Sequence, residues 1–183
     1  MRIIGGKFKG RRFTPPAKNW PTRPTTDFSK EALYNILENR INFSQTRFLD
    51  LFGGTGNHCF ECISRGCTDA TYVDRYRPAA AFVRSLAREL GVEDLIRIVV
   101  TDVFRFCRSS EDAWHYIFAG PPYPQKTIDA IPDLIFGNHL LLPGGIFILE
   151  HNMHFNFEQH PNFEQVRNYG QSYFSFFRNL QDL

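Results

Sequence analysis

Three aspartates, each closing a short apolar run, and two ligand-facing turns stand out in this 183-residue chain. Asp50 lies in FLDLF and leads into Gly53-Gly54-Thr55-Gly56-Asn57; Asp74 ends ATYVD; Asp102 ends IRIVVTD and is followed by Val103 and Phe104. Glycines let a ligand approach the main chain, and the amides at a helix start favour an anionic group. A carboxylate at 74 can accept both hydroxyls of a ribose, and one at 102 can receive an adenine amino group while Val103 and Phe104 pack on the ring. Asp50 can hold an ammonium. Taken singly, each aspartate is equally a helix N-cap or a solvated strand end; their recurrence at successive strand ends points to a ligand. A fourth run, YIFA, stops at Gly120-Pro121-Pro122-Tyr123. Prolines hold the backbone extended, so the carbonyls there are aimed and Tyr123 offers a face to a planar base. Acceptors that draw amino hydrogens aside leave a nitrogen lone pair facing an activated methyl, the geometry for methylating an exocyclic amine. The plainer alternative is a proline turn with a packing tyrosine.

A dinucleotide fingerprint would have to be Gly54-Thr55-Gly56-Asn57-His58-Cys59, with cysteine where a third small residue is needed. That mismatch argues against a nicotinamide cofactor. S-adenosylmethionine has no pyrophosphate and needs a ribose acceptor, an adenine pocket and a place for its amine and carboxylate, which the aspartates and the glycine turn can supply.

These residues need a frame that brings strand ends together. After PTRPTT, Thr26 or Asp27 can cap a helix whose apolar face is Phe28, Ala32, Leu33, Ile36 and Leu37. From Arg47 apolar runs at 48–52, 70–74, 96–102, 116–120 and 145–151 alternate with helical stretches. One helix opens at Pro78 and stops at Gly91; another is expected from Thr127 to Leu141, ending at Pro143-Gly144-Gly145. Such alternation predicts an α/β fold, a largely parallel sheet covered by helices, with ligands beyond the carboxyl ends of its strands. The runs at 163–170 and 173–178 predict an edge hairpin.

Charge divides the chain unevenly. Residues 1–47 carry ten Lys and Arg against three Asp and Glu, and residues 48–183 eleven against sixteen. Within residues 1–22, Arg2, Lys7, Lys9, Arg11, Arg12 and Lys18 alternate with Ile3, Ile4, Phe8, Phe13 and turn glycines, which suits a short hairpin presenting cations to phosphates. A solvated flexible terminus is the alternative. No apolar run reaches the roughly 18 residues of a membrane span or forms a signal-peptide core, so the chain reads as cytoplasmic. Cys59, Cys62, Cys67 and Cys107 are expected as reduced core residues, with the Cys59/Cys62 spacing no redox centre inside a helix. His151, His154 and His160 lack a spaced acidic or cysteine set, so no metal is expected. Glu150-His151-Asn152, closing the fifth run, is placed to line a nucleic-acid face.

The chain resembles the amino methyltransferases with a [DNS]-P-P-[YFW] motif, and most closely the RsmD-type small-subunit (16S) ribosomal RNA guanine-N2 methyltransferases. MRIIGGKFKGR, RPTTDFSKEALYNIL (23–37), LDLFGGTGN (49–57) with Glu61 and SRGC, GPPY (120–123), LLLPGGIFILE (140–150) and NYGQSYFSFF (168–177) carry the likeness nearly end to end. The resemblance implies a seven-stranded Rossmann-like class I sheet with one antiparallel strand over residues 23–183, S-adenosylmethionine as donor, and a basic N-terminal hairpin that grips ribosomal RNA, free or in an assembling subunit. It also implies that Arg23, Pro24 and Thr25 border the cofactor pocket. The departure is Gly120, where the motif has Asp or Asn. That leaves backbone carbonyls, such as that of Pro121, to orient the target amine, or a carboxylate such as Glu150 as a substitute acceptor; the alternative is a catalytically impaired member that binds RNA or the ribosome.

Overall fold

In a computed structural model, residues 1–15, 20, 25–122 and 127–180 are described. Seven strands form one sheet: β1 (Arg47–Leu51), β2 (Asp69–Asp74), β3 (Ile96–Val100), β4 (Trp114–Ala119), β5 (Leu141–His151), β6 (Phe163–Tyr169) and β7 (Ser172–Arg178). Their order is β3-β2-β1-β4-β5-β7-β6. The first five are parallel, β7 runs antiparallel between β5 and β6, and the final two form the expected hairpin about Gly170. The order reverses between β1 and β4, so their carboxyl ends open a crevice. Helices α1 (Asp27–Leu37), α2 (Asn57–Ser64), α3 (Arg77–Leu90), α4 (Val103–Ser109) and α5 (Ile131–Gly137) cover the sheet. Two apolar clusters result. One packs α1, α2 and α3 against Phe48, Tyr72 and Tyr116, and the other packs α4 and α5 against Leu49, Ile117 and Phe147.

The local chemistry explains most boundaries. Thr26 caps α1 by accepting from the Ser29 amide at 3.1 Å, Pro78 sits in the first turn of α3, and Gly91 ends that helix with φ 63°. Two expectations fail. The helix foreseen over 127–141 is a single 3₁₀ turn (Ile128–Ala130) followed by the seven-residue α5, and Pro143-Gly144-Gly145 lies inside β5 rather than ending a helix. Gly144 adopts φ 71° and the β4–β5 register shifts between Trp114 and Tyr116, so an irregularity in the ladder accommodates the proline. In α1, Phe28 is 70% exposed, edge-on to Tyr169, while Lys30 takes the inward position with no exposure.

Lys30 goes inward because everything its ammonium requires is there. Its Nζ lies 3.0 Å from Glu61, and it donates to the Arg2 carbonyl at 2.6 Å and to Asn57 Oδ1 at 2.7 Å. Glu61, also fully buried, accepts from the Ile4 and Gly5 amides at 2.8 and 2.9 Å and from Arg65 Nε at 2.9 Å. This pair docks the basic arm onto α2. Ser64 adds to it, accepting from the Phe8 amide and donating to the Gly5 carbonyl. The arm is a tight loop closed by an antiparallel bridge between Arg2 and Arg12, with the Ile3 amide donating to the Arg11 carbonyl and the Phe13 amide to the Met1 carbonyl. Ile3 and Phe8 are buried. Lys7, Lys9, Arg11 and Arg12 are exposed, with Lys7 and Arg11 over the Phe8 ring.

Removing one partner of a buried, hydrogen-bonded ion pair strands the other charge and costs about 3–5 kcal/mol. Glu61→Gln is therefore expected to lower stability by about that amount in urea denaturation and to speed tryptic cleavage at Lys7 and Arg11. A loss below about 1 kcal/mol would show that the pair does not hold the arm.

Candidate active site

The residues singled out at the ends of β1, β2 and β4 come together. The Gly120 amide donates to the Leu51 carbonyl at 3.3 Å, which joins the Gly-Pro-Pro segment to the start of the glycine turn. That turn is built by left-handed residues: Phe52 with φ 59°, Gly54 with 52° and Gly56 with 73°. Phe52 is the strained one, since non-glycine residues avoid this region and such strain gathers at functional turns. It packs edge-on against Phe104 at the head of α4. At Gly53 a Cβ would meet the Tyr72 ring at 2.4 Å, so only glycine fits. The Tyr72 hydroxyl donates to the Gly54 carbonyl at 2.7 Å. Thr55 is buried in the same turn, and Gly56 begins α2 without any side-chain cap.

The three aspartates occupy three different environments. Asp74 is buried; its Oδ2 accepts from the Gly54 amide at 2.9 Å and its Oδ1 from the Tyr76 amide at 2.8 Å, so it braces the glycine turn. Asp102 is exposed and caps α4, accepting from the Arg105 amide at 3.1 Å. That is the plainer role open to it from sequence, and Val103 beside it is buried in the core. Asp50 is 2% exposed, and among the described residues its Oδ2 has no hydrogen-bond partner. Burial pushes its carboxyl up from 3.8 to about 7, hydrogen bonds from Cys59 pull the other way, and the nearby Asp74 adds to the rise.

Around Gly120 lies a polar network that composition and spacing left invisible. Thr25 Oγ1 donates to Glu150 Oε2 at 2.5 Å and meets His58 Nε2 at 3.0 Å, and Ser172 Oγ donates to Glu150 Oε1 at 2.8 Å. His58 stacks on Phe118 at 3.6 Å, and its other ring nitrogen lies 3.3 Å from the Tyr34 hydroxyl. Pro121 is buried and Pro122 half-buried. Tyr123, Lys18, Arg23 and Pro24 lie outside the described residues. His151 does not line a nucleic-acid face: it is buried between β5 and β7, bonded to the Asn152 carbonyl and Ser175 Oγ. The four cysteines are free and buried, and burial raises the thiols of Cys59 and Cys62 away from reactivity.

A family model described as Conserved hypothetical protein 95 matches residues 1–178. The chain belongs to this family. Family relatives include the Bacillus subtilis (strain 168) "Putative rRNA methyltransferase YlbH", 33% identical over 155 residues and 83% of each chain. The Escherichia coli (strain K12) Ribosomal RNA small subunit methyltransferase D is 28% identical over 151 residues, 82% of this chain and 74% of that one. Among solved structures, the Thermus thermophilus hypothetical protein TTHA0928 superposes with TM-score 0.82 at 26% identity, covering 97% of this chain and 98% of the other. The T. thermophilus 16S rRNA N2 G1207 methyltransferase (RsmC), solved with AdoMet and guanosine, superposes with TM-score 0.67 at 17% identity over 85% of this chain and 44% of that one. The fold is that of the class I methyltransferases, as the resemblance implied.

Asp50 sets a sign for stability against pH. The unfolded chain releases this proton near 3.8 and the native state near 7, so stability is lost as pH rises through that interval. Asp50→Asn is expected to unfold at higher denaturant than the parent at pH 8, by up to about 4 kcal/mol, with the difference vanishing near pH 4. Equal stability at pH 8 would place the Asp50 charge in water.

Proposed function

We propose that this protein methylates the exocyclic N2 of a guanine in small-subunit ribosomal RNA, using S-adenosylmethionine. The main support is the meeting of the glycine turn and the Gly120-Pro121-Pro122 segment at the adjoining ends of β1 and β4, in a chain of this family. Asp50, with its unpartnered buried oxygen, suits the donor's ammonium, and the uncapped start of α2 at Gly56 suits its carboxylate. Gly53, Gly54 and Thr55 form the close-approach wall. Asp74 suits the ribose hydroxyls, with lone pairs beyond those given to the two backbone amides. Asp102 and Val103, at the head of α4, suit the adenine edge. When bound, the sulfonium supplies an electrophilic methyl group.

On the acceptor side, the carbonyls of the buried Pro121 and half-buried Pro122 are proposed to face the target amine, and Tyr123 is proposed to stack on the base. Arg2, Lys7, Lys9, Arg11 and Arg12 are proposed to meet phosphates, in free RNA or in an assembling subunit. Four of them project from a docked loop, whereas Arg2 is engaged with Asp27 at 3.2 Å. Residues 1–22 thus act as an RNA-gripping arm and residues 23–183 as the catalytic domain. Among the described residues no helix is long and apolar enough to cross a membrane.

Calorimetry is expected to show S-adenosylmethionine binding that weakens about fivefold between pH 7 and pH 6, because Asp50, with its carboxyl pushed up to about 7, must give up its proton to receive the ammonium, and Asp50→Asn should flatten that dependence. No binding at any pH would remove the cofactor assignment. With RNA, replacing Lys7, Lys9, Arg11 and Arg12 by serine should reduce the slope of log K against log salt by about 0.7–0.9 for each phosphate no longer neutralised. Nucleoside mass spectrometry of ribosomal RNA treated with the protein should reveal N2-methylguanosine; a different methylated nucleoside would overturn the proposed specificity.

A further inference from the structure

Gly120 presents no side chain to the crevice, yet a side-chain acceptor stands beside it. A Cβ built on Gly120 would lie 3.7 Å from Glu150 Oε2 and 3.2 Å from the Phe118 ring. The parallel ladder causes this proximity: Ala119 pairs with Leu149, so the next residue on each strand also lies side by side. The Glu150 carboxylate is held at both oxygens by the Thr25 and Ser172 hydroxyls. The direction of the donors is fixed as well. The single Thr25 proton goes to Glu150, so the Thr25 oxygen accepts from His58 Nε2–H, while the Tyr34 hydroxyl donates to the His58 carbonyl and lies 3.3 Å from Nδ1. His58 stays neutral, because burial and the Lys30 charge both lower its proton affinity. The His58 and Thr25 donors thus run in sequence toward Glu150. Glu150 is half-buried rather than fully enclosed.

We propose that Glu150 is a catalytic residue that supplies the acceptor Gly120 cannot, drawing one hydrogen of the target amine while a carbonyl of the 120–122 segment draws the other. This rests on the methyltransferase reading above. As the amine nitrogen's lone pair forms its bond to the methyl carbon, the carbon–sulfur bond breaks and its electron pair stays on the sulfur of the sulfonium donor. The surplus proton on nitrogen passes to Glu150, which returns it to water at the crevice mouth. Glycine at 120 and glutamate at 150 then belong together: an aspartate at 120 would press a second carboxylate against the first, and like charges at that range suppress ionisation of one of them.

Glu150→Gln is expected to lower kcat about 10²–10³-fold while changing the S-adenosylmethionine Kd less than threefold. Gly120→Asp alone should also lower kcat, and Gly120→Asp combined with Glu150→Gln should recover at least tenfold over Glu150→Gln. Independently of turnover, guanosine labelled at its 2-amino group and bound to protein saturated with S-adenosylhomocysteine should show a downfield amino proton, lost in Glu150→Gln. Parent-level turnover in Glu150→Gln, a Gly120→Asp more active than the parent, or an unmoved amino resonance in the folded parent would each overturn the role of Glu150. A parent protein that neither binds the cofactor nor transfers methyl would instead remove the methyltransferase reading, and this inference with it.

Discussion

The buried Lys30–Glu61 pair is the constraint from which the rest of the structure hangs. It is satisfied on every side by the Arg2 carbonyl, Asn57, two arm amides and Arg65. A buried ion pair contributes little net energy, because desolvation offsets most of the attraction; its strength lies in tolerating few alternative arrangements. Here it specifies three things together. It sets α1 against α2, it fastens the arm to α2, and through Asn57 it reaches the first turn after the glycine loop. Since Thr25 precedes α1 and His58 follows Asn57, the same pair also fixes where the polar network beside Gly120 sits.

Carboxylates do most of the specialised work, and their surroundings separate their roles. Asp74 serves the loop through two amides, Asp102 serves a helix end, Asp50 is buried with one oxygen unpartnered among the described residues, and Glu150 is clamped by hydroxyls. The same functional group is thereby a turn brace, a helix cap, a buried acid and a hydroxyl-clamped carboxylate. Burial and hydrogen-bond count, rather than residue type, decide among these.

Much of the fold was legible because short-range chemistry decided it. The runs around Asp50, Asp74 and Ala119, the Thr26 cap, the Gly91 stop and the Gly170 turn all became what their local patterns implied. The failures lie where distant partners overrule local pattern. Lys30 reads as a surface residue until Glu61 and the Arg2 carbonyl are brought to it, and Phe28 reads as core until that exchange turns it outward beside Tyr169. Pro143-Gly144-Gly145 reads as a stop, but pairing with β4 carries the strand through it. In the site, the glycine turn and Asp74 were recognisable from spacing. The proximity of Glu150 to Gly120 follows from strand register, and its clamping by Thr25 and Ser172 joins residues far apart in sequence.

The placement of β7 between β5 and β6 has a bearing on biosynthesis. Residues 172–178 are the last of the seven strands to be made, yet they complete the hydrogen bonding of β5 and bring Ser172 to Glu150. A nascent chain can assemble the arm, α1, α2 and the first four strands while one flank of β5 is still bare. The glycine turn and the surroundings of Asp50 and Asp74 can thus form early in translation, whereas the hydroxyl clamp on Glu150 is complete only once the hairpin has zipped into place.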